Sequence, residues 1–248
     1  MRACQSQAKN NFMSINLNKA IPSSRSVDGW KNVKIHECYD AMTMLDNYSL
    51  EFIKVYPQYY LQKIPYAVEN CYCRKEVANL LLKAAENLPN GYKFLIWDAW
   101  RPTKVQNALF EKYKDDIKDK TDLTGVELDE AVQKYVSLPS TDKLKPSPHL
   151  TGASIDLTII DKNGNELDMG TGFDYFGSEA QTDFYEIKSS IFGKEVIIKQ
   201  NRRLLYNILT NAGFTNYPYE WWHYDYGNQF WGVLTNKEAI YNKIISPI

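Results

Sequence analysis

The sequence predicts a single α+β domain with a central antiparallel sheet flanked by helices, and three observations predict it. Helical spacings and strand-like runs are mixed without the regular βαβ rhythm of a parallel sheet. The best strand candidate is followed by an Asn-Gly turn of the kind tight hairpins require. No GxGxxG or Walker loop is present to argue for a nucleotide-binding α/β sheet. A chain of 248 residues fits one such domain. Its apolar fraction of 44%, with 18 Tyr, 10 Phe and 6 Trp, supplies a core that needs no covalent staples.

Residues 1–30 are polar and show no sustained periodicity, which predicts a poorly ordered N-terminal arm ahead of a folded unit over 31–248. From Tyr39 to Tyr72 aromatics are frequent, and Pro57 and Pro65 break any long helix, so short strands and turns are expected there. Arg74 to Leu88 carries Val77, Leu80, Leu81, Ala84, Ala85 and Leu88 at helical spacing, closed by Pro89-Asn90-Gly91. Tyr92 to Trp97 reads as a buried strand. Pro102 suits the first turn of a helix with Val105, Leu109 and Tyr113 on one face. The charged stretch from Lys112 to Asp129 predicts a surface excursion, followed by a short helix near Leu128 to Tyr135. Ser154 to Ile160 (SIDLTII) is β-branched and strand-like, with Asp161 to Asn165 as its turn. Asn201 to Ala212 predicts an amphipathic helix closed by Gly213, and Tyr224 to Tyr226 a last core strand.

The formal net charge is −1, from 29 basic and 30 acidic residues without a basic stripe, which argues against a nucleic-acid partner. Cys4, Cys38, Cys71 and Cys73 are too few for a disulfide scaffold. The Cys71-Tyr72-Cys73 spacing would strain a bridge, so reduced thiols are expected. The first twenty residues lack a continuous apolar segment of the secretory type, and no run approaches the ~20 apolar residues of a membrane helix. A protein of the cytoplasm is the expectation, with the periplasm or cell surface as the alternative for a chain that has lost a leader.

Three histidines occur in the chain, and two of them sit in chemically suggestive company. His149 lies in SPHLTGASID, just before the predicted strand, and Asp156 lies inside that strand. His223 lies in YEWWHYDY, with Glu220 three residues earlier. Two imidazoles and a carboxylate are a common ligand set for catalytic zinc, with one position left open. A nearby carboxylate outside that set is placed to accept a proton from water. A lone histidine beside a strand is more often an ordinary hydrogen-bonded residue. Asp156 shifts the balance, because a buried carboxylate needs a partner.

SPHLTGASID resembles the SxHxxGxAxD motif, and EWWH the ExxH motif, of zinc D,D-peptidases. More narrowly, the chain resembles the D-alanyl-D-alanine dipeptidases of vancomycin resistance, the VanX type. That likeness rests on IWDAWRP (Ile96 to Pro102), ELDMGTGFDYF (Glu166 to Phe176), QNRRLL (Gln200 to Leu205) and AGFTNYPYEWWHY (Ala212 to Tyr224). The resemblance implies one Zn2+ per chain bound by His149, Asp156 and His223, with Glu220 as general base. It implies that Arg101 polarises the scissile carbonyl, a task suited to a fixed guanidinium fork. The bland reading of Arg101 is a helix-start partner of Asp98. Ser147 and Asp174 would bind a small D-amino-acid dipeptide, Asp174 facing its free ammonium, and Tyr66 falls where the family has an aromatic near the pocket.

The sequence departs from the family pattern in three places. Ser154 stands where the motif has Ala, a change expected to leave the metal geometry intact. Gly177-Ser178-Glu179-Ala180 replaces an acidic and His-containing continuation, in a loop expected to line the pocket. The first ~65 residues match poorly, so only a covering layer is expected of them. Two alternatives stay open: a D,D-carboxypeptidase or cell-wall peptidase acting on longer muropeptides, and a non-catalytic zinc-binding module. The second needs neither Glu220 nor Arg101.

Overall fold

The computed structural model of the chain describes residues 16–119, 121–133, 142, 144–175 and 177–247. Among these, β1 (Met42–Met44) and β3 (Tyr72–Arg74) pair as a small antiparallel ribbon. The central sheet contains β2 (Ile53–Val55), β4 (Lys93–Asp98), β5 (Ser154–Ile160), β6 (Thr215–Asn216) and β7 (His223–Asp225), in the order β2-β4-β5-β7-β6. The helices are α1 (Gln58–Leu61), α2 (Lys75–Ala85), α3 (Thr103–Lys118), α4 (Gly125–Gln133), α5 (Phe184–Ile187), α6 (Lys194–Asn211) and α7 (Gln229–Thr235). The α+β class holds. The sheet is antiparallel through β4, β5, β7 and β6, but β2 joins β4 parallel. A parallel partner is sterically available because α1, β3 and α2 intervene, a long enough connection to return the chain in the same direction.

Strand β5 is buried over its whole length, and its two faces differ in chemistry. Ile155, Leu157 and Ile159 point to one side, where they share a core cluster with Val77 and Leu81 of α2 and Leu205, Ile208 and Leu209 of α6. Ser154, Asp156 and Thr158 alternate with them onto the opposite face. A second cluster joins Tyr59 and Ile64 to Val105, Leu109, Phe110 and Tyr113 of α3 and to Leu128 and Val132 of α4. Each fully buried aliphatic side chain stabilises the fold by about 1.5–3 kcal/mol relative to exposure, so the two clusters dominate the cohesion around the polar face of β5.

Several elements depart from expectation for local reasons. Helix α3 runs on to Lys118, through the first part of the charged stretch expected to be an excursion, because Val105, Leu109 and Tyr113 keep one face buried. Helix α4 begins at Gly125, and the Tyr135 end of its expected span lies outside the described residues. Helix α6 starts at Lys194, seven residues ahead of the expected Asn201. There the β-branched Val196 and Ile197 mask the signal and are largely exposed. The Asn-Gly turn forms, with Gly164 at φ 85° and Asp161 Oδ1 accepting the Asn163 and Asn165 N–H groups. The strand it returns into is only a bridge between Ile160 and Glu166.

The N-terminal arm was expected to be loose, and Cys4 with the rest of residues 1–15 lies outside the described residues. From Asn16 onward the arm is held against α5 and α6. Asn207 Nδ2 donates to Lys19 O at 2.8 Å, Ser24 N to Asp183 Oδ2 at 2.8 Å, and Ile21 and Val27 are buried. Polar composition hid this attachment because hydrogen bonds to partners some 160–190 residues away carry no local periodicity. The C-terminal segment also packs inward: Ile244 N donates to Leu150 O and Trp100 Nε1 to Ile244 O, beside His149 and Arg101. Cys71 and Cys73 are buried free thiols. Among the described residues no helix is long and apolar enough to cross a membrane.

Candidate metal centre and active site

His149, Asp156 and His223 come from three separate elements and meet on the polar face of the sheet. His149 sits on a 3-10 turn, Pro148–Thr151, immediately before β5. The turn ends at Gly152, whose φ of 69° reverses the chain into the strand. That positive φ favours glycine, and a Cβ there would also push aside the tip of Met42, whose Sδ would lie 2.8 Å away. Asp156 and His223 are register partners across β5 and β7, which puts their side chains on one face. Asp98 is the register partner of Asp156 on the other side, after an irregularity that follows Ile96.

The donor atoms converge. His149 Nε2 lies 3.2 Å from His223 Nδ1 and 3.3 Å from Asp156 Oδ2, while His223 Nδ1 lies 3.0 Å from Asp156 Oδ1. All three side chains are buried. Ligand bonds of about 2.0–2.2 Å in tetrahedral array place donors roughly 3.3–3.6 Å apart, so a set at 3.0–3.3 Å needs to open by only a few tenths of an ångström to fit zinc. The far side of each ring is also tied, His149 Nδ1 to Ala99 O at 2.7 Å and His223 Nε2 to Asp225 at 3.1 Å. Ordering of this kind is what metal-ligating imidazoles require. Burial works against ionisation of Asp156, yet His149 and His223 beside it hold its carboxyl well below the usual range.

Glu220 sits on the loop between β6 and β7, with Oε2 3.8 Å from His223 Nδ1. Asn216 Nδ2 braces that loop by donating to Glu220 O at 3.1 Å and His223 O at 3.0 Å. Burial pushes the Glu220 carboxyl up to about 8, with His223 and Arg101 opposing and Asp156 and Asp174 adding to the rise.

Arg101 pairs with Asp98, as its helix-start reading expects. Its Nε donates to Asp98 Oδ2 at 2.8 Å, its Nη1 to Gln106 Oε1 at 2.9 Å, and its Nη2 to Asp156 Oδ2 at 3.2 Å. The guanidinium also lies over the Tyr59 ring. Asp174, at φ 57°, accepts from Tyr113 Oη at 2.9 Å and Tyr59 Oη at 3.2 Å. Burial pushes its carboxyl up to about 6, against the pull of Arg101.

One cavity of about 380 Å³ joins these groups, toward the small end of ligand pockets, roughly 300–1,000 Å³. Its lining includes Arg101, Ser147, His149, Asp156, Asp174, Glu220 and His223, so the structure brings these seven candidate residues to one space. Gly177, Ser178 and Ala180 line it as well. Their loop is held by Arg202, whose buried guanidinium donates to Gln181 O and Glu179 O at 2.6 Å and to Met169 O at 2.8 Å. Tyr66 does not reach the cavity. It is 66% exposed, near Lys104, and Tyr59 of the same stretch is among the aromatics that line the space. The positions fall in the same Tyr- and Pro-rich stretch, where residue type alone does not say which ring turns inward.

Sequence reasoning missed Tyr59, Gln106, Tyr113 and Asp225. The first three lie outside the quoted motifs and were not separable from core aromatics or helix polars. Asp225 did carry a signal: two residues past His223 in a strand, it shares a face with it.

The matching family and the curated relatives agree with this chemistry. The family described as D-Ala-D-Ala dipeptidase matches residues 37–244. A D-alanyl-D-alanine dipeptidase of Synechocystis sp. is 28% identical over 83% of this chain and 89% of its own length. Another from Enterococcus faecium is 32% identical over 60% of this chain and 70% of its own. Among solved structures, a vancomycin-resistance D,D-pentapeptidase in complex with Zn(II) overlays with a TM-score of 0.42 at 14% identity, covering 85% of this chain and 97% of that one.

Proposed function

The chain belongs to the D-Ala-D-Ala dipeptidase family of zinc metallopeptidases, and on that premise we propose that it cleaves free D-Ala-D-Ala into two D-alanine molecules. His149, Asp156 and His223 hold one Zn2+, Glu220 is the general base, Arg101 polarises the scissile carbonyl, and Ser147 and Asp174 hold the substrate. The observation that carries this reading is the position of Glu220, 3.8 Å from His223 Nδ1 and in the same cavity as the three donors, yet outside their set.

Zinc at this position makes water more acidic and withdraws electrons from a carbonyl oxygen. Glu220, its carboxyl raised by burial, removes a proton from the attacking water and delivers it to the amine nitrogen as the C–N bond breaks. Arg101 contributes through Nη2, the edge of its fork that reaches Asp156, while Asp98 and Gln106 hold the other two nitrogens still. Asp174 supplies the countercharge for the dipeptide's ammonium, with the Tyr59 and Tyr113 hydroxyls orienting its oxygens. The buried thiols of Cys71 and Cys73 support a reducing compartment, the cytoplasm, as the place of action.

The test compares kcat/KM for free D-Ala-D-Ala with that for N-acetylated D-Ala-D-Ala and a longer peptide ending in the same residues. Strong preference for the free dipeptide is expected. Comparable values would favour a carboxypeptidase acting on longer chains.

A further inference from the structure

The nitrogen of His223 that faces away from the other metal donors is built into a buried polar cluster. Nε2 lies 3.1 Å from both carboxylate oxygens of Asp225, which is 0% exposed. A buried carboxylate is costly unless its oxygens are occupied. Here Ser154 Oγ and Asn228 Nδ2 each donate to Asp225 Oδ1 at 2.6 Å. Asn228 Nδ2 also donates to Ser154 Oγ at 3.0 Å, so the hydroxyl accepts from the amide and passes its own proton to the carboxylate. Asn228 is itself set by Trp231 N, which donates to its Oδ1 at 3.0 Å where α7 begins. Ser154 and Asp225 are register partners across β5 and β7, so the backbone places the hydroxyl against the carboxylate.

We propose that Ser154, Asp225 and Asn228 are positioning residues that hold His223 as the tautomer protonated on Nε2, leaving Nδ1 to face the metal. Asp225 Oδ1 already accepts from Ser154 Oγ and Asn228 Nδ2, so the carboxylate is the acceptor here and the proton between it and His223 belongs to the imidazole. The unprotonated nitrogen is then Nδ1, the atom that meets His149 and Asp156. The serine in place of the motif's alanine is therefore not a neutral change. It adds a donor that a methyl group lacks.

This inference rests on His223 being a metal ligand, and the experiment separates the two. Zinc dissociation constants are measured by chelator competition for the parent, Ser154→Ala, Asp225→Asn and His223→Ala. The His223 ring nitrogens are assigned by ¹⁵N NMR in the zinc-loaded parent. Loss of an outer partner typically weakens metal binding by about 10–100-fold. Ser154→Ala is expected at the lower end and Asp225→Asn toward the upper, with the zinc-free unfolding midpoints unchanged and a proton observed on Nε2. Unaltered zinc affinity in both variants, or a proton on Nδ1, overturns the proposal, as does a loss of affinity that merely follows loss of fold. If His223→Ala binds zinc as the parent does, the ligand assignment itself is wrong.

Discussion

Asp156 and His223 face each other across β5 and β7, with Oδ1 and Nδ1 3.0 Å apart, and His149 Nε2 closes the triangle at 3.2 Å from that nitrogen. Bringing a buried carboxylate and two imidazoles this close is costly without a cation among them or protons on the rings. The protein isolated without chelators is therefore expected to hold about one zinc per chain. Binding to the native state alone stabilises it by about 4.1 kcal/mol at a thousandfold excess over Kd, so chelation should lower the thermal midpoint and added zinc restore it. Metal analysis and calorimetry check this. Protein that is zinc-free and indifferent to added zinc would reject the site.

Glu220→Ala should keep zinc and fold while kcat falls by about 10²–10⁴, the usual worth of a general base. The Glu220 carboxylate lies outside the donor triangle, 3.8 Å from His223, so its removal spares the ligand set. Kinetics paired with metal analysis of the same sample decides the matter, and near-parental kcat would remove Glu220 from the mechanism.

Arg101→Lys should lose about 10²–10³ in kcat, the scale of one oxyanion donor. Arginine keeps Nη2 on the cavity side because Nε and Nη1 are held by Asp98 and Gln106. A lysine ammonium cannot satisfy both anchors and still reach the carbonyl. A variant with parental turnover would reduce Arg101 to a structural ion pair.

The Asp174 carboxyl, pushed up to about 6 by burial, is charged above that pH and loses its charge as the pH falls through it. KM for free D-Ala-D-Ala should accordingly rise as the pH drops below about 6. Asp174→Ala should flatten that rise and lower kcat/KM for the free dipeptide by an amount corresponding to a lost buried ion pair, at most about 3–5 kcal/mol. An N-acetylated substrate has no ammonium and should respond to neither change. Equal losses for the two substrates would place the ammonium elsewhere.

Much of the fold and of the candidate site could be read from local pattern. Strand β5 was legible to the residue, because SIDLTII is β-branched and an Asn-Gly turn bounds it. Helix α2 was legible from its apolar spacing, although it stops at Ala85 rather than Leu88. The early start of α6 and the docking of the arm from Asn16 were not, since each depends on partners distant in the chain.

By itself the sequence supplied two short motifs, and their likeness to those of zinc D,D-peptidases carried the chemistry expected of this protein. His149 and Asp156 stand seven residues apart in one short motif, and Glu220 and His223 three apart in another, so each half of the site is a local object. Tertiary structure alone decided how the halves meet. Antiparallel register sets Asp156 opposite His223, and α3 brings Tyr113 to Asp174, a partner 61 residues away. It also turned Tyr59 inward and left Tyr66 exposed, and it made Ser154 a support for Asp225. The physical reason is that residue type and spacing specify which atoms can bond. Which atoms do bond across the sheet depends on strand order and register, which long-range packing fixes.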